Sequence, residues 1–421
     1  MKAKGSGRCS VLLLLPGVPL PANTGGALRS LATVQALDAA FDLTVLTLRR
    51  PGQDARSFRR EVRGEVIFVR SGSRLYDVAA EVESLFAGRP VGYTRYSFTR
   101  AILTRVLSRK RYDVIHFDHP HTALLLPLLR RLQPQARLVL DAHNVEARVI
   151  ERLSRTLPLP KRALLRLQSM RVRKLETKVA KQVDLVVACS QIDAVEFGRM
   201  GAPRVRVLPN SIPQQAPHGY RERRDLVFVG SLDWRPNADA AVRLAAEIWP
   251  LCKEALAPGR LVLVGRNPPP EVTALAGPRV VVTGSVARVG PYLGAAVATA
   301  IPLRIGSGTR IKILEAWAAG VPVVASRVAA EGLPYRHGRD LLLAESPGEF
   351  AEALVRLWSD PPLAARLVEG GLASAEPFTK RHVAAQLVLI YRELLASARR
   401  RDDPAARAYN SAYEPAIATS S

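Results

Sequence analysis

Acidic residues are scarce in this chain of 421 residues: 37 Asp and Glu stand against 61 Lys and Arg, a formal net charge of +24. A positive field of that size attracts anions such as nucleotides, nucleic acid or acidic lipid headgroups. An Arg-rich, Ala-rich composition also reflects base bias in the coding sequence. Aromatic residues make up only 6% and few interleave with the basic ones, which argues against nucleic-acid binding by base stacking. The three cysteines, Cys9, Cys189 and Cys252, are odd in number and far apart. They fit neither a disulfide framework nor a metal spacing, and point to a reducing compartment. No apolar run approaches the roughly 18–20 residues that span a bilayer. The N-terminus imitates a secretory leader, with Lys2 and Lys4 ahead of Val11–Leu15, but Pro16, Pro19 and Pro21 cut the run short. It reads as a buried first strand. A cytoplasmic protein is expected, either free or held peripherally on the inner face of the cell membrane.

What the chain does have is apolar material, 48% of its residues, enough for two buried sheets. Short apolar runs alternate with helical patterns from Val11–Leu15 through Leu43–Thr47, Val66–Val69, Val114–Phe117, Leu138–Leu140, Leu185–Val187 and Val205–Leu208. A second set follows: Leu226–Val229, Leu261–Val264, Val280–Val282, Thr299–Leu303, Val321–Val324 and Leu341–Leu343. Continuous hydrophobicity suits parallel strands covered by helices on both faces, the pattern of a doubly wound α/β sheet occurring twice. The expected domains are 1–212 and 225–377, joined by a Pro- and Gly-containing linker at 213–224. A closing helix at 378–398 and a disordered tail at 399–421 complete the expected plan.

The most informative stretch runs from Ile301 to Ser326. A strand ending near Leu303 leads into Gly306-Ser307-Gly308, and a helix from about Thr309 to Ala319 is stopped by Gly320 with Pro322 beyond. Glycines at a helix N-terminus let a phosphate reach free backbone N–H groups. Arg304, Arg310 and Lys312 add cations, and Glu315, two turns in, is placed to accept hydrogen bonds from a ribose diol. Read from the residues alone, this is either an anion site with a polyol acceptor or a Gly-rich turn beside a solvated carboxylate.

The segment resembles the donor-binding region of retaining GT-B glycosyltransferases of family 4. That family carries a Glu, seven residues, then a second Glu followed by Ala, small residues, Gly and Pro. Glu315-Ala-Trp-Ala-Ala-Gly320-Val-Pro322 matches the second half, while Ser307 stands where the first Glu would fall. The resemblance makes Ser307 and its neighbours an alternative sugar contact. It extends over roughly Val11 to Leu395. The pair Gly25-Gly26, which opens a helix after the first strand, is similar to the family loop facing donor phosphates and acceptor. His143, at a strand end in Asp141-Ala-His143-Asn-Val-Glu146, resembles the His placed beside the reacting sugar; capping of the next helix is the other reading. The segment Leu208–Pro213 is similar to the family's hinge entry. Gly230-Ser231-Leu-Asp-Trp-Arg235 takes the place of a loop whose Arg and Lys meet the diphosphate. Ser231 stands at the Arg position, so Arg235 remains, with Arg304 or Arg310 expected to compensate. Gly265-Arg266 and Gly284 look like turns under the nucleobase or ordinary strand exits. His116, Asp118, His119 and His121 crowd together, but no Cys or later His completes a ligand set, and no metal is expected.

The stretch Lys161–Lys181 interleaves basic residues with Leu164, Leu167, Val172, Leu175 and Val179 at helical spacing. It reads as a helix resting on anionic lipid or as a surface helix with one buried face. The resemblance implies a GT-B pair of Rossmann-like domains facing a central cleft. It further implies metal-independent transfer, with retention, from a nucleoside-diphosphate sugar to an acceptor hydroxyl. No cofactor is implied beyond that co-substrate. A lipid-linked or saccharide acceptor in cell-surface polysaccharide or glycolipid synthesis fits, and no nucleic acid. The rivals are a sugar-nucleotide epimerase on the same scaffold and a non-catalytic nucleotide-sugar-binding regulator.

Overall fold

The computed structural model describes residues 8–22, 24–49, 53–70, 88, 90–91, 93, 100–155, 157–212, 223–305 and 311–402. Each apolar run becomes a strand. The first sheet contains β1 (Ser10–Leu15), β2 (Asp42–Arg49), β3 (Glu65–Arg70), β4 (Val114–Asp118), β5 (Arg137–Ala142), β6 (Leu185–Ala188) and β7 (Val205–Val207). The second contains β8 (Asp225–Val229), β9 (Leu261–Val264), β10 (Val280–Val282), β11 (Ala296–Ile301), β12 (Val323–Ala325) and β13 (Leu342–Leu343). Their orders are β3-β2-β1-β4-β5-β6-β7 and β10-β9-β8-β11-β12-β13. All ladders are parallel. Both therefore reverse direction at the first strand of the set, which is where doubly wound sheets bind ligands, at the carboxyl ends of the strands. Val11–Leu15 is wholly buried between β2 and β4, which is why it carries no polar alternation.

Two compact units contain these sheets. One is built from the chain up to Cys189, Asp193–Leu208 and the chain from Ala384 onward; the other from Ser190–Ile192 and Pro209–Val383. Most of the expected linker, 213–222, lies outside the described residues, as does the expected tail beyond Asp402. Arg223 and Arg224 already belong to the second unit. Buried Arg223 donates to the carbonyls of Gly320 and Ala319, capping the helix Ile311–Ala318. Gly320 ends that helix at φ +64, with Val321 N donating to Ala316 O at 2.9 Å. A residue with a side chain is strained in that region, which accounts for the glycine.

The last helix, Lys380–Asp402, runs past the expected stop at 398. From Ala384 it is part of the first unit, where Tyr391 is fully buried, tilted against Phe41 and with its hydroxyl on His116 Nδ1. Among the described residues no helix is long and apolar enough to cross a membrane.

Candidate functional site

In the first unit, chemistry collects where β4 and β5 end. Asp118 closes β4 and His143 follows β5. The Asp118 carboxylate receives His143 Nε2 at 2.9 Å, Ser30 Oγ at 2.8 Å and His119 Nδ1 at 3.3 Å. Burial works against its charge, but His143 and His119 hold its carboxyl well below the usual range. A carboxylate on Nε2 requires that nitrogen to carry the proton, so Nδ1 is left as the lone-pair acceptor. His143 Nδ1 is buried and has no hydrogen-bond partner. Burial, and then the charge of His119, lower the His143 pKa, so the ring is neutral near pH 7. His119 lies tilted against it at 40°, with ring centroids 3.8 Å apart. Burial opposes the charge of His119, yet Asp118 raises its pKa to about 9.

The helix Gly25–Ala40 points its N-terminus at this ring. Thr24 caps it by accepting from Ala27 N at 3.2 Å, and its first turn holds no carboxylate. The first N–H groups of a helix have no internal partner and carry the positive end of its dipole. A Cβ at Gly26 would lie 3.5 Å from His143 Nδ1, in ordinary van der Waals contact, so the start of this helix packs directly against the buried imidazole. Behind them Arg29 grips Asp141 through Nε at 2.9 Å and donates from NH1 to Leu208 O at 2.7 Å. This buried pair fixes the helix to β5. Asp118, His119 and His143 are close enough to share a cation, as are His116, Asp118 and Asp141. These side chains are already hydrogen-bonded within the fold, apart from His143 Nδ1 and His116 Nε2, which are buried without a partner.

In the second unit the residues expected at the donor divide sharply. Gly306, Ser307, Gly308, Thr309 and Arg310 lie outside the described residues. Gly230 follows β8 and lies against Asn237, whose side chain a Cβ would meet at 3.0 Å. At Gly265 a Cβ would come within 1.8 Å of Gly230 O, so the two turns approach backbone to backbone. Asn237 links the loop to the helix beyond: it donates to Ser231 O at 2.8 Å and accepts from Lys312 Nζ at 2.6 Å. Lys312 also lies over the Phe228 ring. Glu315, one turn further along, is partly buried; burial pushes its carboxyl up to about 7, with Lys312 pulling the other way.

Arg235 is exposed at the first position of the helix Arg235–Arg243. Arg304 does not stand free: its guanidinium makes two bonds to Asp239, at 2.7 and 3.1 Å. Among the described residues, a cation reaches Ser231 from the neighbouring strand's turn. Arg266 Nε donates to Ser231 Oγ at 2.9 Å and lies 3.5 Å from Asp233. The parallel register of β8 and β9, which pairs Val229 with Val264, is the signal that could have found it.

The helix Leu159–Gln182 buries Ser169, Val172, Glu176, Val179 and Ala180. Glu176 accepts from the N–H groups of Glu146 and Ala147, at 2.6 and 3.4 Å, at the start of the next helix over. Leu159, Leu164, Leu167 and Met170 are exposed by 78, 65, 46 and 69%. Leu164 and Leu167 thus turn away from the face that Val172 and Val179 bury.

Residues 24–215 match the family model "Glycosyltransferase Family 4", and residues 223–360 the model "Glycosyl transferases group 1". A D-inositol 3-phosphate glycosyltransferase of Acidothermus cellulolyticus is 32% identical over 223 residues, 47% of this chain and 49% of that protein. The chain thus spans about half the length of that relative. Sucrose-phosphate synthase from Thermosynechococcus elongatus superposes with a TM-score of 0.66 at 19% identity, covering 93% of this chain and 100% of that one. A glycosyltransferase from Rickettsia africae gives 0.65 at 12% identity over 93% and 99% of the two chains. HepE of Anabaena in complex with UDP-glucose gives 0.60 at 16% over 91% and 99%.

Proposed function

The chain belongs to the group 1, family 4 glycosyltransferases of GT-B fold, and from that premise we propose that it moves a glycosyl group from a nucleoside-diphosphate sugar to an acceptor hydroxyl with retention. The carrying observation is His143 Nδ1, a buried acceptor without a hydrogen-bond partner, oriented by Asp118 beside the helix start at Gly25 and Gly26. The reaction breaks the bond between the anomeric carbon and the diphosphate oxygen and forms one to the acceptor oxygen on the same face. The acceptor proton passes to the departing diphosphate, so neither a protein nucleophile nor a metal is needed. His143 orients the sugar by accepting from one of its hydroxyls. Glu315 accepts from the ribose, and Lys312, Arg235 and Arg266 face the diphosphate with preorganised charge. HepE of Anabaena is similar in fold and was solved with UDP-glucose, which favours a nucleotide-sugar donor.

A panel of nucleotide sugars tests the reading by thermal stabilisation. A ligand at 100 times its dissociation constant stabilises by about 2.7 kcal/mol. The anomeric configuration of the product then tests retention, with D-inositol 3-phosphate, the polyol named in its relative, beside lipid-linked saccharides as acceptors. Release of a rearranged sugar without acceptor would make the protein an epimerase. Binding without turnover would make it a regulator. In the same assay Arg266→Ala should narrow the affinity gap between nucleoside diphosphate and nucleoside by about tenfold, the scale of one charge-assisted hydrogen bond. An unchanged gap places the phosphate contacts elsewhere.

The acceptor is proposed to be a lipid-linked or surface-polysaccharide intermediate met at the inner face of the cell membrane. At 3.6 residues per turn, Leu159, Leu164, Leu167 and Met170 share one outward arc of the long helix, and Arg171, Lys174 and Lys178 continue that arc. Apolar insertion beside basic residues is the chemistry of an anionic lipid surface. Each cation there contributes about 1 kcal/mol at low salt. Changing Arg171, Lys174 and Lys178 to Gln should lower co-sedimentation with acidic vesicles by about a hundredfold, with donor affinity intact. Arg173 is left in place because it pairs with Glu196 at 3.0 Å. Equal sedimentation of both proteins would make the helix a solvated face.

A further inference from the structure

A second basic site lies at the opposite end of the first unit's sheet, where strands begin rather than end. Arg137 starts β5, Asp184 precedes β6 and Arg204 precedes β7. With β5 rising about 3.3 Å per residue, this end is about 20 Å from His143. These residues, with Arg130, Lys181 and Ser397, line a cavity of about 290 Å³. That is the lower end of small-ligand pockets, which run from about 300 Å³.

Four cations face one carboxylate here. Asp184 is held by Arg130 at 2.8 Å and Arg137 at 3.2 Å, and these bonds build the wall. Lys181 and Arg204 have no carboxylate partner among the described residues; Arg204 reaches only Ser397 Oγ, at 3.4 Å. Arg137 Nε is buried with no acceptor. A buried donor without an acceptor calls for a ligand atom that water or an anion supplies. Gly201, at φ +90, packs beside the cavity: a Cβ there would stand 3.1 Å from the Lys181 stem. The walls come from the start of β5, the turns that lead into β6 and β7, and the helices Leu126–Leu132, Leu159–Gln182 and Lys380–Asp402, so an occupant would tie the last of these to the sheet.

We propose that this cavity binds a small phosphate-bearing anion, through Lys181, Arg204 and Arg137, at a site separate from sugar transfer. Inorganic phosphate and the phosphomonoester headgroup of a lipid share that chemistry. The test titrates the full chain with inorganic phosphate in a calorimeter, and separately with phosphatidic acid vesicles diluted in phosphatidylcholine. Lys181→Gln with Arg204→Gln should weaken whichever form binds by at least about tenfold, the cost of lost charge-assisted bonds. Ser397→Asp, which keeps every cation but sets a carboxylate at the wall, should do the same and serves if the double variant folds poorly. The variant with Gln at 171, 174 and 178 should bind inorganic phosphate as wild type does, and nucleoside-diphosphate affinity should not change in any of them. Saturable phosphate binding lost in these variants assigns a free anion; vesicle binding alone, lost likewise, assigns a headgroup. No saturable binding in either arm, or equal binding by wild type and both cavity variants, overturns the proposal.

Discussion

Replacing His143 by alanine should lower turnover by about a hundredfold to a thousandfold while leaving nucleoside-diphosphate affinity within about twofold, as expected for one positioned polar group acting on the reacting sugar. The separation follows from the assignment: the nucleotide contacts are given to the second unit and the imidazole to the sugar. Asp118→Asn is the sharper variant. An amide in place of the carboxylate no longer demands a proton on Nε2, so Nδ1 can become the donor and lose its role as acceptor. Turnover should fall comparably with the ring still present. Full activity in a folded Asp118→Asn protein would reduce this carboxylate to a packing role. The same carboxylate links pH to stability. The His119 pKa is raised from 6.5 to about 9, so its charge pairing with Asp118 stabilises fully below about pH 6.5 and is lost as pH rises through about 9.

Glu315→Gln should weaken donor binding by about tenfold to a hundredfold, the worth of hydrogen bonds to a charged acceptor. Its protonation makes the prediction two-sided. With a carboxyl pushed up to about 7, the wild type should bind donor better as pH rises through 7, when the acceptor becomes charged, and the Gln variant should show no such rise. Stability moves the other way. Between 4.5 and about 7 the folded state keeps a proton that the unfolded state has lost, so stability falls as pH rises through that window. At pH 8 the Gln variant should therefore melt higher than wild type while binding donor more weakly. A variant that binds donor as tightly as wild type at pH 8 would remove Glu315 from the site.

The sheets were legible because a strand covered on both faces has no room for polar alternation, and Val11–Leu15 or Leu261–Val264 can be little else. β11 starts at Ala296 rather than Thr299 because Ala-Val-Ala carries no strand signature of its own; burial between β8 and β12 makes it one. Pairings between distant residues were not legible. Nothing near Arg304 announces Asp239, and only strand register brings Arg266 to Ser231. The basic helix was visible at its true period, but which side faces protein is decided by Val172 and Val179 packing inward, leaving Leu164 and Leu167 outside. Gly25, Gly26 and His143 could be named from the resemblance. That Asp118 sets the proton on His143 needed coordinates, since 25 residues separate them.

Tyr391 has a consequence for how this protein is made. Its ring and hydroxyl fill the first unit beside Phe41 and His116, yet the ribosome reaches it only after the entire second unit. At about 5–20 residues per second, the stretch from Leu208 to Tyr391 takes on the order of 10–40 s to synthesise. Throughout that interval the nascent first sheet carries an unfilled apolar notch and an imidazole without its hydroxyl. The first unit therefore reaches its full packing only once the helix Lys380–Asp402 has been made.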